Sequence, residues 1–117
     1  MPILTNNNIV NSVTNLSLNR LDLYMPDIAR LCEMHKVKSL HAFGSVLNNN
    51  FNSKSDIDLL VEFLNIDVED YADNYYDLKF YLQDVLKRHV DLLEEKALKN
   101  PYFINIINNQ RQQVYGQ

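Results

Sequence analysis

The sequence predicts an α+β fold, because short apolar segments typical of strands are interspersed with longer amphipathic segments typical of helices. Strands are predicted at Val37–Phe43, Ile57–Phe63 and Val90–Leu93. Amphipathic helices are predicted over Leu21–Lys36 and Val68–Arg88. A β-branched apolar run such as the second strand is typical of a strand buried in a sheet, so the chain is expected to form one packed core.

Proline positions and apolar spacing support each helix. Pro26 fits best in a first turn, so the firm part of the first helix is expected to begin near Met25. Pro101 begins a last helix, with Asn100 as its cap. The apolar stripe of the long helix recurs every three or four residues and consists of Tyr71, Tyr75, Leu78, Leu82, Val85 and Leu86. Its tyrosines favour core packing or partner contact over base stacking.

Length and composition predict one domain in a reducing compartment. The chain has 117 residues, which suits a single domain over residues 19–117 preceded by a flexible or weakly helical arm over residues 1–18. No apolar stretch is long enough to cross a membrane, and the N-terminus lacks the pattern of a secretory signal. Cys32 is the only cysteine, which excludes an intrachain disulfide. A cytoplasmic location is therefore expected.

The charge argues against a nucleic acid as the main partner. The formal net charge is −4 and the pI is about 5.2, and no long basic cluster appears. Such a chain suits a small nucleotide that arrives with its own metal ion, or a basic protein partner.

Two aspartates stand where a buried strand begins. Asp56 and Asp58 are two positions apart, so on a strand their side chains lie on the same face. Neighbouring carboxylates repel each other unless a cation lies between them. Oxygen ligands alone suit magnesium or manganese. The pair therefore predicts a divalent-metal site.

Gly44 and Ser45 follow the first predicted strand. A short helix that begins there would direct backbone N–H groups and its positive dipole end outward. Such a helix terminus is suited to bind phosphate. Glycine allows close approach of the backbone, and the Ser45 hydroxyl adds a donor. Phosphoryl or nucleotidyl transfer requires a phosphate-binding site beside a metal site.

The spacing of these motifs resembles the signature of the DNA polymerase β-like nucleotidyltransferase superfamily. Gly44-Ser45 is followed by ten residues and then Asp56-Ile57-Asp58, and Ser55 agrees with the usual pattern. The segment His89–Leu93 matches a later element that carries a third carboxylate, here Asp91. In length the chain is most similar to the minimal nucleotidyltransferases, the MntA-like antitoxins of bacteria and archaea.

This resemblance implies a fold, a site and a reaction. The fold would be a small mixed sheet with helices packed mainly on one face. Asp56 and Asp58 would bind two Mg²⁺ (or Mn²⁺) ions, and Asp91 would complete the second metal site and take the acceptor proton. Gly44, Ser45 and Ser55 would form the nucleotide and phosphate site. The nucleotidyl group is expected to be AMP, with ATP as the substrate.

The resemblance also suggests the acceptor. Minimal members are typically encoded with a HEPN-domain ribonuclease and act as antitoxins that transfer AMP to a toxin tyrosine. One alternative is a small-molecule enzyme of the aminoglycoside nucleotidyltransferase type. Another is an antitoxin that neutralises its partner by binding alone. The feature that supports this alternative is Asn48-Asn49-Asn50, which stands where relatives commonly have an Arg and a Gly. Homo-oligomer formation and any cationic role of Lys54 stay open.

Overall fold

The structure is a computed structural model that describes residues 20–116. The predicted N-terminal arm over residues 1–18 lies outside the described residues. Within residues 20–116, no helix is long and apolar enough to span a bilayer.

Three α-helices and four strands lie within residues 25–116, and residues 20–22 are also helical. The helices are α1 (Met25–Met34), α2 (Val68–Leu86) and α3 (Pro101–Gln110). The strands are β1 (Val37–Phe43), β2 (Ile57–Phe63), β3 (Val90–Glu94) and β4 (Gln112–Gly116), with short 3₁₀ helices at Gly44–Leu47 and Glu95–Ala97. Asn100 caps α3 as predicted, since its Oδ1 accepts hydrogen bonds from the N–H groups of Tyr102 (2.9 Å) and Phe103 (3.3 Å).

The strands form one mixed sheet in the order β3-β2-β1-β4. β1 is antiparallel to both β2 and β4, whereas β2 and β3 are parallel and are connected through α2. A parallel pair needs a long crossover connection, and the 19-residue helix α2 provides it. The predicted α+β class with a small mixed sheet is thus confirmed.

Helices cover the two faces of the sheet unequally. Leu59 and Val61 of β2 join the main core under α1 and α2, and the intervening Leu60 points to the opposite face. There Leu60 packs with Phe43 and with Ile107 of α3. Two helices therefore lie on one face and α3 partly covers the other, which agrees with the expected arrangement.

Cys32 belongs to this main core and has no exposed surface. Burial, assisted by the negative charge of Glu33, raises its pKa to about 12, so the thiol stays protonated at neutral pH. A protonated, buried thiol is a small hydrophobic side chain and not a nucleophile, as the sequence predicts.

Strand β4 was not predicted, because the sequence after Gln110 has too few apolar residues for a strand pattern. It is formed by pairing with β1, from Ala42–Gln112 to Ser39–Gly116. Gly116 has a φ of +95°, and a Cβ there would lie 2.3 Å from the Lys38 carbonyl oxygen. This strand therefore depends on contacts with a distant segment more than on its own composition.

Helix α2 ends two residues earlier than predicted. Lys87 adopts a left-handed conformation with φ of +57°, and its N–H donates to the Gln83 carbonyl at 2.9 Å. A left-handed residue directly after the last turn is a common way to end a helix.

Side chains of α2 cap the outer edge of β3. The Val90 N–H donates to Gln83 Oε1 at 3.1 Å, and the Tyr75 hydroxyl donates to the Leu92 carbonyl. An edge strand usually leaves such groups free to pair with another chain. Here at least these two groups are satisfied internally, which works against strand addition at this edge.

Candidate active site

Two of the predicted carboxylates lie side by side on neighbouring strands. Asp58 of β2 and Asp91 of β3 are in-register partners in the parallel pair, so their side chains share one face. Adjacent strands are about 4.8 Å apart, which makes these residues direct neighbours. Asp56 stands just before β2, half exposed, with its Oδ2 3.4 Å from the Nδ1 atom of His89.

The environment of Asp58 disfavours its charge. Partial burial, followed by the negative charges of Asp91 and Asp56, raises the pKa of Asp58, and only His89 acts in the opposite direction. A carboxyl group whose pKa is raised by neighbouring negative charges marks a place where a bound cation would relieve the repulsion.

Gly44 forms the third side of the site. It follows β1, next to Phe43, which is the antiparallel partner of Asp58. Gly44 has a φ of +77°, and a Cβ at this position would lie 2.3 Å from Asp58 Oδ2. Only glycine allows the Asp58 carboxylate to lie against the backbone here. The structure thus brings Gly44, Asp58 and Asp91 together.

A glutamine from α3 already binds the Gly44 backbone. The Gly44 N–H donates to Gln110 Oε1 at 2.7 Å. The sequence predicted that the Gly44 N–H would be free to bind a phosphate oxygen. In the structure the Gln110 carboxamide oxygen accepts this hydrogen bond instead. The two residues are 66 positions apart, so no local pattern in the sequence could have indicated the contact. A phosphate could reach this N–H only after Gln110 moved aside.

We expect Gln110→Glu to weaken ATP binding and Gln110→Ala to leave it unchanged or strengthen it. The glutamate would hold a negative charge against the phosphate position, whereas alanine would free the N–H for the nucleotide. One hydrogen bond is worth about 0.5–1.5 kcal/mol, so the gain with alanine should be at most about tenfold in Kd. Calorimetric titration with ATP and magnesium measures the ATP dissociation constant of each variant. Tighter binding by Gln110→Glu would contradict this account.

The segment after Gly44 and Ser45 is held by an arginine from outside it. The Arg20 guanidinium donates to the carbonyl oxygens of Val46 (2.8 Å) and Asn48 (2.6 Å). Relatives were expected to carry an arginine within this segment, where this chain has asparagines. Among residues 20–116, the arginine that hydrogen-bonds to the 3₁₀ helix is Arg20, which precedes the helix in the chain and binds its backbone carbonyl groups.

A second arginine holds the far end of the same loop. Arg88 donates to the carbonyl oxygens of Asn52 (2.6 Å) and Ser55 (2.8 Å). The guanidinium carbons of Arg88 and Arg20 lie 4.3 Å and 4.9 Å from the centre of the Phe51 ring. The hydroxyl of Ser55 accepts from the Asn52 N–H at 3.0 Å, so this serine shapes the loop.

The donor set fits a magnesium ion that is bound partly by substrate. The carboxylates supply oxygen ligands, which magnesium prefers. In the part of the chain that the structure describes, no three His, Cys, Asp or Glu side chains could hold a metal ion by themselves. Magnesium is commonly bound by one or two carboxylates together with substrate phosphates and water. Asp58, with Asp91 or Asp56, is suited to that role.

The chain belongs to the nucleotidyltransferase domain family, whose model matches residues 28–114 and therefore includes Gly44, Asp58 and Asp91. It is 47% identical over 72 residues to "Putative protein adenylyltransferase MJ0128" of Methanocaldococcus jannaschii, covering 62% of this chain and 70% of that protein. The predicted family is thus confirmed.

Solved structures share the fold. A protein described as a putative minimal nucleotidyltransferase is 26% identical, with a TM-score of 0.67 over 81% of this chain and 93% of that one. A complex of a tri-AMPylated HEPN toxin with an MNT antitoxin from Shewanella oneidensis contains a chain that is 22% identical, with a TM-score of 0.57 over 82% of this chain and 72% of that one. The latter likeness concerns the fold alone.

Proposed function

We propose that this protein transfers AMP from ATP to a hydroxyl group of an acceptor protein. The observation that carries the proposal is the in-register pair of Asp58 and Asp91 on the sheet face beside Gly44.

Asp58 and Asp56 would hold magnesium together with the triphosphate. Asp58 is the central ligand, because it lies between Gly44 on one side and Asp91 on the other. When bound, magnesium supplies positive charge that stabilises the phosphates and lowers the pKa of the acceptor hydroxyl. The backbone at Gly44 and the hydroxyl of Ser45 would orient the β- and γ-phosphates once Gln110 has moved aside.

Asp91 would act at the acceptor. It is exposed on the edge strand, so a hydroxyl from outside the protein can approach it. The acceptor oxygen bonds to the α-phosphorus and its proton passes to an Asp91 carboxylate oxygen. The bond from the α-phosphorus to the bridging oxygen breaks, and pyrophosphate leaves.

We assign the acceptor as a tyrosine of a HEPN-family toxin, which makes this protein an antitoxin. Two comparisons support this assignment: MJ0128 carries the name of a protein adenylyltransferase, and the Shewanella complex pairs an MNT antitoxin with an AMPylated HEPN toxin.

A second candidate is an antitoxin that acts by binding alone. Two observations favour it: asparagines replace the expected arginine at Asn48–Asn50, and Gln110 occupies the Gly44 N–H. Both features would weaken the binding of a triphosphate.

Labelled ATP distinguishes the two candidates. The purified protein, magnesium and a purified HEPN toxin are mixed with ATP labelled in the α-phosphate. We expect label on the toxin with wild-type protein and a loss of at least about a hundredfold with Asp58→Ala. A stable complex without label would support the binding-only function. Full activity of Asp56→Asn would contradict the metal role of Asp56.

A further inference from the structure

Helix α2 carries a continuous row of aromatic rings that runs from the core to the solvent. Tyr71 stacks on Tyr75, Tyr75 meets Tyr76 edge to face at 5.0 Å, and Tyr76 stacks on Phe80 at 6.1 Å. The first two are anchored to β3 through their hydroxyl groups. Tyr76 and Phe80 are 52% and 57% exposed, so burial in the core does not explain this end of the row.

A groove of about 480 Å³ lies beside this row, between α2 and β3. We call it the aromatic groove. Its lining consists of Tyr71, Ala72, Tyr75, Tyr76, Leu92, Leu93, Glu94 and Ala97. The groove therefore begins at the residue that follows Asp91 in the chain.

Sheet order places the groove on the acceptor side of the site. Gly44 follows β1, Asp58 lies on β2 and Asp91 lies on β3, so the strand order puts the two carboxylates between Gly44 and the groove. Asp58 and Asp91 lie on the face of the sheet that α3 partly covers, whereas α2 covers the other face, so the groove lies beyond the β3 edge from a nucleotide at Gly44. The groove is suited to the acceptor more than to the nucleotide.

The exposed surface of α2 next to the groove is strongly acidic. The helix has five acidic residues and one lysine, a net charge of −4, which equals that of the whole chain. Asp73 and Asp77 directly follow the groove residues Ala72 and Tyr76, and like charges at this four-residue spacing destabilise a helix slightly. In the described residues, 20–116, neither aspartate forms an ion pair.

We propose that the aromatic groove and the acidic surface of α2 dock the acceptor protein through a basic segment with an aromatic or apolar residue at its centre. The inference rests on the proposed function, because it assigns the acceptor side of the same site. An aromatic groove flanked by unpaired acids is complementary to apolar side chains flanked by lysine or arginine. A second copy of this chain would bring the same negative charges face to face.

Defined polymers test this without the natural partner. Fluorescent poly(Lys,Tyr) and poly(Glu,Tyr) are titrated with the protein in the absence of ATP, and anisotropy gives the Kd. We expect poly(Lys,Tyr) to bind at least tenfold tighter. Asp73→Lys/Asp77→Lys should weaken that binding at least tenfold. The matched control, Asp22→Lys/Glu33→Lys, changes the charge equally outside the groove and should weaken it less than threefold.

The docking surface would be overturned if Asp73→Lys/Asp77→Lys and the control Asp22→Lys/Glu33→Lys lost equal affinity for poly(Lys,Tyr). Tighter binding of poly(Glu,Tyr) than of poly(Lys,Tyr) would also overturn it. So would self-association of the wild-type protein that Asp73→Lys/Asp77→Lys abolishes, since the face would then belong to a second copy. A Tyr76→Ser/Phe80→Ser variant checks the aromatic part and should also weaken binding at least tenfold, whereas unchanged binding would overturn the groove as the site.

The same polymers with α-labelled ATP separate this inference from the proposed function. Charge-selective binding that depends on Asp73 and Asp77, but no label on the polymer or on a HEPN toxin, would leave the docking surface standing and overturn the transferase. Label on both polymers at equal rates would leave the transferase standing and overturn the docking surface.

Discussion

Asp58→Asn is expected to raise the melting temperature of the protein while reducing nucleotidyl transfer by at least about a hundredfold. The loss of activity follows from the central position of Asp58 between Gly44 and Asp91. The gain in stability follows from the electrostatics of the site, because the asparagine keeps the shape of the side chain and removes its charge.

The sign of the stability effect comes from the pKa of Asp58. Burial, with Asp91 and Asp56 nearby, raises this pKa above its ordinary value of 3.8. The folded state then holds the proton more tightly than the unfolded state, so the contribution of Asp58 to stability is greatest below pH 3.8 and is lost as the pH rises through the folded pKa. At neutral pH the ionised Asp58 therefore destabilises the fold, and Asn removes that cost.

Thermal unfolding at neutral pH measures the effect. We expect a rise of about 2–5 °C for Asp58→Asn in the absence of metal, a scale typical of changes below 1 kcal/mol in a small domain. Magnesium with a non-hydrolysable ATP analogue should stabilise the wild type but not the variant. Asp22→Asn, a matched change at an exposed residue outside the site, should behave as the wild type. Equal stabilisation of Asp58→Asn by magnesium nucleotide would contradict the metal role.

Local patterns in the sequence were sufficient for the elements that create this charge cluster. The bounds of β1 and β2 agree with the prediction, because both are short, mainly apolar segments with polar residues directly before them. The neighbouring positions of Asp58 and Asp91 follow once β2 and β3 are parallel and in register. The chemistry assigned to them stays a proposal.

The features that the sequence did not reveal depend on contacts between distant segments. Strand β4 is specified by pairing with β1, and Gln110 reaches Gly44 across 66 positions. Likewise, Arg20 binds the carbonyl groups of a loop 26 and 28 positions away. A side-chain contact of this kind leaves no periodicity or spacing in the sequence, so only the fold exposes it.

Gly44→Ala is expected to destabilise the fold and to disrupt the site at once. A Cβ would lie 2.3 Å from Asp58 Oδ2, and the backbone has a φ of +77°. The left-handed conformation alone costs a residue with a side chain about 1–2 kcal/mol, and displacement of Asp58 adds to it. We therefore expect a loss of about 2–3 kcal/mol in the free energy of unfolding, measured by urea denaturation. Since a shift of about 1 Å in a catalytic group can cost a hundredfold, transfer should fall at least tenfold.

A double-mutant cycle separates the clash from the backbone strain. In Gly44→Ala/Asp58→Ala the carboxylate is gone, so the clash should disappear and only the cost of the left-handed conformation should remain. The two substitutions should then be coupled by about 0.5–3 kcal/mol, as expected for residues in contact. Gly116→Ala is the matched control, because its Cβ would meet the Lys38 carbonyl and not Asp58. Its effect should add to that of Asp58→Ala without coupling. Additive effects of Gly44→Ala and Asp58→Ala would mean that the carboxylate does not lie against Gly44 in solution.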